Sequence, residues 1–177
     1  MNSKAARLLQ ETEHLGPNSV VIEIGSLRSS QETPSDGWST YYLAQRANER
    51  LWEFISIDNN PETSHLCRNV LGREGVLGAR IHILTDDGAL FLQSWSGAID
   101  CLYIDGAASP EEALAQFEAA EHSLHVGSVI LIDDIQSFAE AGAQGKGTLL
   151  VPALVEKGWQ VDIVPTEPGF LMAVVKK

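Results

Sequence analysis

Three aspartates in the second half of the chain have the residue type and spacing that could hold a cation. Asp105 ends a short apolar run (AIDCLYID), and Asp133 and Asp134 end the next one (SVILIDD). Carboxylates that lie close together repel one another unless a cation or shared protons relieve the repulsion. The pattern therefore predicts a ligand site in which a cation or shared protons relieve the repulsion.

The two apolar runs must be neighbouring parallel strands if these aspartates are to meet. Both runs are almost continuously hydrophobic, which is typical of strands buried on both faces of a parallel sheet. Residues 110–125 have a helical pattern, with Pro110 in the first turn and acidic residues beside it, and predict the crossover helix. Neighbouring strands lie about 4.8 Å apart, so the aspartates would share the carboxyl edge where open α/β sheets bind ligands.

The same alternation of strand and helix extends over the rest of the chain. A helix is predicted over 3–15, and another begins at Pro61 and is closed by Gly72 as its C-cap. The last two strand patterns flank the dipeptide Pro168-Gly169, which predicts a turn and an antiparallel hairpin. Seven strands alternating with about six helices predict a single α/β domain over residues 1–177, doubly wound with right-handed crossovers.

Acidic residues also lie at or near the ends of the other predicted parallel strands. They are Glu23, Asp58, and the pair Asp86 and Asp87, in addition to Asp105. Any one of them alone would most simply cap the helix that follows and complement its dipole. Four successive strand ends that project acids toward one sheet edge favour a ligand site instead.

The loop after the first strand indicates which cofactor that edge could bind. Its sequence, GSLRSSQETPSDG, lacks the GxGxxG pattern that lets a backbone approach a pyrophosphate. Glu32 and Asp36 in the same loop would repel phosphate. A cofactor with an ammonium and a sulfonium group fits this setting better. Asp58, at the end of the second strand, could accept hydrogen bonds from ribose hydroxyls.

Composition excludes several classes of partner. The chain has 24 acidic and 12 basic residues, a formal charge of -12, and no basic stripe that would bind a nucleic-acid backbone. No apolar run reaches the roughly 18–20 residues that cross a membrane. The two cysteines, Cys67 and Cys101, have no CxxC neighbour and no histidine at zinc spacing, so we expect reduced structural thiols. The N-terminus is too polar for a signal peptide. We expect a cytoplasmic protein that acts on a small molecule.

The order of these motifs resembles a known superfamily. The segments VVIEIG, GWSTYYLA, FISIDNNPE, ILTDDGALFL, AIDCLYIDG, GSVILIDDI and GFLMAVVKK follow one another as in class I S-adenosylmethionine-dependent methyltransferases. Within that superfamily the chain is most similar to small bacterial metal-dependent O-methyltransferases that modify sugars, macrolides and phenols. The resemblance covers residues 19–177. It implies a Rossmann-like sheet in the order 3-2-1-4-5-7-6 with the seventh strand antiparallel.

The resemblance also implies a role for each matching residue. Asp105 would serve both cofactor and catalysis, and together with Asp133 and Asp134 it would bind a divalent ion, Mg²⁺ by expectation. The implied cofactor-binding set is Glu23, Gly25 and Ser26 beside the methionine part, Asp58 and Asn59 at the ribose and adenine, and Asp86 or Asp87 at the adenine amino group.

Two departures from the resembling sequences leave alternatives open. Relatives usually follow IDG with an acid or a histidine, whereas Ala107 and Ala108 stand there in this chain. Activation of the acceptor would then rest on the metal alone or on a base from elsewhere. The glycine-rich first loop of the relatives is also replaced here by a longer, serine-rich and acidic loop. The walls of the substrate site would come from residues 1–16 and from the loops 26–37 and 135–147. The first of these segments could instead serve a homodimer.

Three other functions compete with metal-assisted O-methylation. The first is a metal-free methyltransferase in which Asp133 and Asp134 are a cap and a structural carboxylate. The second is a nicotinamide-dependent oxidoreductase, which the missing GxGxxG and the terminal hairpin disfavour. The third is a cofactor-binding protein of this fold without catalysis, which the two alanines keep open.

Overall fold

Short, strongly apolar strands form the centre of the structure, as their sequences predict. The computed structural model describes residues 3–31, 38–136, 145–167 and 170–176. The elements in chain order are α1 (Ser3–Glu11), β1 (Val20–Ile24), α2 (Ser39–Arg50), β2 (Glu53–Asp58), α3 (Pro61–Arg73), β3 (Ile81–Thr85), α4 (Gly88–Ser94), β4 (Ile99–Ile104), α5 (Pro110–Ala120), β5 (Leu124–Ile132), α6 (Gly147–Glu156), β6 (Gln160–Glu167) and β7 (Phe170–Lys176).

The strands form one sheet in the order β3-β2-β1-β4-β5-β7-β6. Strands β1 to β5 run parallel to one another, while β7 is antiparallel to both β5 and β6. This confirms the predicted architecture, including the reversed terminal hairpin. Ile24 of β1 pairs with Ile57 and with Ile104, and Ile104 pairs with Ile132. The residues that follow these four isoleucines therefore emerge at the same level of the sheet edge.

Each face of the sheet is covered by three helices. Leu8 of α1 and Leu43 of α2 belong to the core on one face, with Cys67 of α3. The other face packs against α4, α5 and α6, with Phe117 and Trp159 meeting edge to face. None of the helices in the described segments has both the length and the apolar character that a membrane span requires.

Both cysteines are buried and unpaired, which agrees with the prediction of structural thiols. Cys67 lies in α3 and Cys101 in β4. Burial raises the pKa of each thiol to about 12, so neither carries the thiolate that nucleophilic chemistry needs.

Three predicted boundaries were wrong. The first helix ends at Glu11, where the Thr12 hydroxyl donates to the Leu8 carbonyl. Gly72 lies inside α3, and the left-handed residue after that helix is Gly75, with φ of 71°. The crossover helix ends at Ala120 rather than at residue 125. A short 3-10 turn follows, and β5 begins directly after it.

The backbones of β1 and β4 cross closely at the carboxyl edge. The amides of Asp105 and Gly106 both donate to the Ile24 carbonyl, at 2.9 and 2.7 Å. Gly25 has φ of +95°, and a β-carbon on it would lie 2.5 Å from the Gly106 nitrogen. Only glycine fits this conformation and this approach at the same time. The close crossing of the two backbones therefore requires glycine at position 25.

We expect Gly25→Ala to destabilise the fold by at least about 2 kcal/mol, because a non-glycine residue is strained at positive φ and its β-carbon meets backbone atoms. The control is Gly72→Ala in the exposed interior of α3, where a β-carbon meets nothing within 4 Å. That change should stabilise by up to about 1 kcal/mol. Urea unfolding measures both, and equal stability of Gly25→Ala and wild type would contradict the tight crossing.

Candidate functional site

Two adjoining cavities open at the carboxyl edge of the sheet. The larger has a volume of about 370 Å³, which is in the range of small-ligand pockets. The two cavities share Gly25, Asp58, Asn59 and Gly106 as lining residues. They meet at the topological switch point, where the chain leaves β1 toward one side of the sheet and β4 toward the other.

Asp58 connects the two loops that form one wall of the larger cavity. Its Oδ2 accepts a hydrogen bond from the Ser26 backbone N–H at 3.1 Å. Its Oδ1 accepts from the Asn60 backbone N–H at 2.9 Å, just before α3. Each carboxylate oxygen has a second lone pair. Asp58 can therefore hold both loops in place and still accept a hydrogen bond from a ligand hydroxyl.

The structure distinguishes between the two acidic residues that follow β3. Asp87 lines the smaller cavity, and its Oδ1 caps α4 by accepting from the Leu90 N–H at 2.9 Å. Asp86 is exposed and lines neither cavity; its Oδ1 accepts from the Asp87 N–H at 2.8 Å. Of the two residues predicted at the adenine amino group, only Asp87 lines one of the two cavities.

Glu23 lies beneath the cavities rather than along them. Its side chain is fully buried and lines neither cavity, and its contact with the cofactor stays a prediction. The Ser39 hydroxyl donates to one carboxylate oxygen at 3.0 Å, and the Ser56 hydroxyl donates to the other at 2.6 Å. Ser26 does line the larger cavity, and its hydroxyl meets that of Ser56 at 2.8 Å.

The three aspartates of the predicted cation site do converge. One oxygen each from Asp105, Asp133 and Asp134 lies within 4.8 Å of the others. Backbone hydrogen bonds place two of them: the Asp105 N–H donates to the Ile24 carbonyl at 2.9 Å and the Asp133 N–H to the Ile104 carbonyl at 3.1 Å. Asp134 has φ of 51°, an unusual conformation for a residue other than glycine.

Two lysines that the sequence did not single out contact this cluster. Lys4 Nζ lies 2.9 Å from Asp105 Oδ2 and 2.5 Å from Asp133 Oδ2. Lys146 Nζ lies 3.4 Å from Asp105 Oδ1 and 3.3 Å from Asp134 Oδ2. The exposed fractions of the two lysine side chains are 17% and 8%. We call these five side chains the lysine–aspartate cluster.

Burial and charge shift the pKa values in this cluster in different directions. Burial alone would raise the pKa of Asp105, but the two ammonium groups outweigh it and hold that pKa well below its usual range. Burial would likewise lower the pKa of Lys4, yet Asp105 and Asp133 hold it well above its usual value. Burial and the charge of Asp105 raise the pKa of Asp133 to about 6. Lys4 is thus a permanent cation.

Backbone packing fixes Lys146 at the base of the loop after β5. Its N–H donates to the Asp134 carbonyl at 3.0 Å, which closes the loop where it began. Glycine flanks it on both sides, and a β-carbon on Gly145 or Gly147 would overlap Gln136 or Ile135. The sequence signal for Lys146 was its place between two glycines, shortly after the acidic pair Asp133 and Asp134. Lys4 had a signal too, because it precedes Ala5 and Leu8 on the buried face of α1.

Several other predicted elements of the site can also be placed. Ala107 and Ala108 line the larger cavity and bring no base to it. None of the five histidines lines either cavity, and His82 and His125 instead pair with Glu53 and Asp100. Of the predicted loop walls, residues 32–37 and 137–144 lie outside the described residues.

A comparison with protein families decides the class of the protein. The model of a methyltransferase domain matches residues 35–135, which is more than half of the chain. This chain belongs to that methyltransferase family. Among curated proteins, none matches its sequence at a significant level.

Solved structures share the fold of this methyltransferase at low sequence identity. Precorrin-8W decarboxylase of Methanobacterium thermoautotrophicum is 18% identical with a TM-score of 0.69, over 98% of this chain and 88% of that one. The Podospora anserina methyltransferase PaMTH1, solved with S-adenosylhomocysteine, is 15% identical with a TM-score of 0.72, over 97% and 75%. The glycopeptide N-methyltransferase MtfA, solved with sinefungin, is 13% identical with a TM-score of 0.70, over 98% and 85%.

The lysine–aspartate cluster of this methyltransferase is a poor fit for the magnesium ion that the resemblance implies. A hard cation needs free carboxylate oxygens in near-octahedral geometry. Four of the six oxygens of Asp105, Asp133 and Asp134 already contact an ammonium group. Among the described residues no donor contacts Asp133 Oδ1, but that atom is buried and single. Magnesium binding stays an untested prediction, and the two lysines argue against it.

Glu23 should make stability depend on pH. Burial raises its pKa from the ordinary 4.5 to about 7, although hydroxyl donors oppose this. The folded state then holds the proton more tightly than the unfolded chain, so stability is greatest below about pH 4.5 and falls as pH rises to about 7. The loss is about 3 kcal/mol. Glu23→Gln should remove this part of the slope in urea unfolding measured from pH 5 to pH 8.

The matched control is Glu62→Gln, an exposed glutamate in the first turn of α3. It should leave the slope of stability against pH unchanged. A Glu23→Gln variant with the slope of the wild type would show that Glu23 does not titrate in this window.

Proposed function

We propose that this methyltransferase transfers the methyl group of S-adenosylmethionine to a hydroxyl of a small molecule. The observation that carries the proposal is one cavity that connects Asp58 and Asn59, suited to a nucleoside, with Asp105 and Asp134, suited to an acceptor. Cofactor and acceptor would thus meet beside the crossing of β1 and β4. Methyl transfer requires this alignment, because the acceptor must approach the methyl carbon in line with the bond that breaks.

The cofactor would lie across the shared wall of the two cavities. Asp58 would accept hydrogen bonds from the ribose hydroxyls, and Asp87 would accept one from the adenine amino group in the smaller cavity. Gly25 and Gly106 offer backbone without side chains at the junction, so a ligand can approach closely. The lysine–aspartate cluster keeps one net negative charge beside the larger cavity, which suits a cationic sulfonium.

The acceptor would lie near the cavity-lining carboxylates Asp105 and Asp134. Asp105 stays ionised, because the two ammonium groups lower its pKa, and it would orient the hydroxyl by accepting a hydrogen bond. Asp134 has a side chain that is 31% exposed and has one lysine contact, and it would receive the hydroxyl proton. S-adenosylmethionine would supply an electrophilic methyl group. The acceptor oxygen would bond to the methyl carbon as the carbon–sulfur bond breaks, and the electron pair of the carbon–sulfur bond would stay on sulfur.

The charge of the chain supports a small acceptor. A formal charge of -12 would oppose a polyanion such as nucleic acid. In the larger cavity Arg28 and Lys146 stand among Asp58, Asp105 and Asp134, so a compact ligand with both donor and acceptor groups suits the lining. Of the two mechanisms considered above, we favour the metal-free one, because two ammonium groups already contact the carboxylates and offset most of their charge.

Calorimetric titration with S-adenosylhomocysteine tests the cofactor assignment. We expect micromolar binding by the wild type and at least tenfold weaker binding by Asp58→Ala, a loss of about 1.4 kcal/mol or more. Asp86→Ala is the matched control, since Asp86 lines neither cavity, and its Kd should stay within about twofold of the wild type. Folded wild-type protein that fails to bind would contradict the proposed function.

Turnover tests the roles of the acceptor carboxylates. Against a panel of phenols, sugars and hydroxylated natural products, Asp134→Asn should lose 10²–10⁴-fold in kcat, roughly the contribution of a positioned base. Its affinity for S-adenosylhomocysteine should stay near that of the wild type. The control is Asp162→Asn on exposed β6, which should keep full activity. Methylation of nitrogen or carbon acceptors alone would contradict the assignment to hydroxyls.

A further inference from the structure

The lysines of the lysine–aspartate cluster stand between the carboxylates rather than beside them. Lys4 joins the aspartates that end β4 and β5, and Lys146 joins Asp105 to Asp134. Each ammonium group thereby links two carboxylates from different strands. That is the electrostatic task that a divalent ion performs among clustered acids.

The two lysines come from distant parts of the sequence, and both are held in place. Buried Ala5 and Leu8 anchor α1, while Glu11 pairs with Arg7 at 2.7 Å and with Lys176 of β7 at 3.2 Å. Lys146 is fixed by its backbone bond to Asp134 and by the glycines on either side. Removal of either ammonium group would leave largely buried carboxylates without a positively charged partner, which is a costly state.

We propose that Lys4 and Lys146 occupy the cation position of this site, and that Lys146 presents its ammonium group, in place of a metal ion, to the acceptor. This inference rests on the proposed function only in taking the ligand beside Lys146 to be the methyl acceptor. Lys146 lines the larger cavity together with Asp134, whereas Lys4 is not among the residues that line it. Lys4 is therefore the structural cation and Lys146 the one that a ligand can contact.

An ammonium group in place of a metal ion would change which acceptors the site favours. A metal ion has several open positions and favours acceptors that chelate it, such as vicinal diols and catechols. An ammonium group is a point charge with three donors and stabilises a single oxygen. The site therefore fits a lone phenolic or enolic hydroxyl and gains nothing from a second oxygen beside it.

Binding of Mn²⁺, followed by electron paramagnetic resonance on the full chain, tests the proposal without any substrate. The wild type should bind no Mn²⁺ below 1 mM. Lys146→Met keeps a long side chain but removes the charge and releases Asp105 Oδ1 and Asp134 Oδ2, so it should bind Mn²⁺ at least tenfold more tightly. Adding Asp134→Asn to Lys146→Met should abolish that gain, and Lys146→Arg should behave as the wild type.

Two results would overturn the proposal. One is tight Mn²⁺ binding by the wild type that Asp134→Asn removes, because the cluster would then be a metal site. The other is no gain of binding in Lys146→Met, because the lysine would then not be what excludes the ion. Urea unfolding of the same samples shows whether Lys146→Met is folded. Titration of the wild type with S-adenosylhomocysteine addresses only the proposed function, so a failure of that function is separate from a failure of this proposal.

Discussion

The gathering of three carboxylates at one edge of the sheet is the constraint on which much of this structure depends. One carboxylate oxygen each from Asp105, Asp133 and Asp134 lies within 4.8 Å of the others, Asp133 is buried, and the Asp105 side chain is only 19% exposed. Positive charge among the carboxylates relieves their repulsion. The chain supplies that charge from α1 and from the loop before α6. The first helix and the last crossover are therefore tied to the centre of the site.

The register of the sheet explains why the carboxylates meet there. Ile24, Ile57, Ile104 and Ile132 lie at one level, so the residues after them share an edge. At that level Gly25 and Gly106 let two backbones cross at a distance that no side chain would allow. The crossing leaves backbone without side chains between Asp58 and the lysine–aspartate cluster. Fold and chemistry thus depend on the same few positions.

Local patterns predicted the fold and much of the acidic site. Continuous apolar runs ending in acids indicated parallel strands and the convergence of Asp105, Asp133 and Asp134, whereas the strand order came from the resemblance to class I methyltransferases. Helix ends were predicted less well, since Gly72 is an interior residue of α3. The lysines were missed because Lys4 and Lys146 are far apart in sequence and meet only through tertiary packing. Strand alternation also does not say how deep below the edge a side chain lies, and Glu23 is fully buried.

The most direct test of the central claim is a crystal structure of the protein grown with S-adenosylhomocysteine and Mn²⁺, with anomalous data at the manganese edge. We expect the ligand's ribose at Asp58, its sulfur toward Asp105, both lysine ammonium groups among the three aspartates, and no anomalous peak between them. An anomalous peak inside the cluster, with Lys4 or Lys146 displaced, would contradict the account.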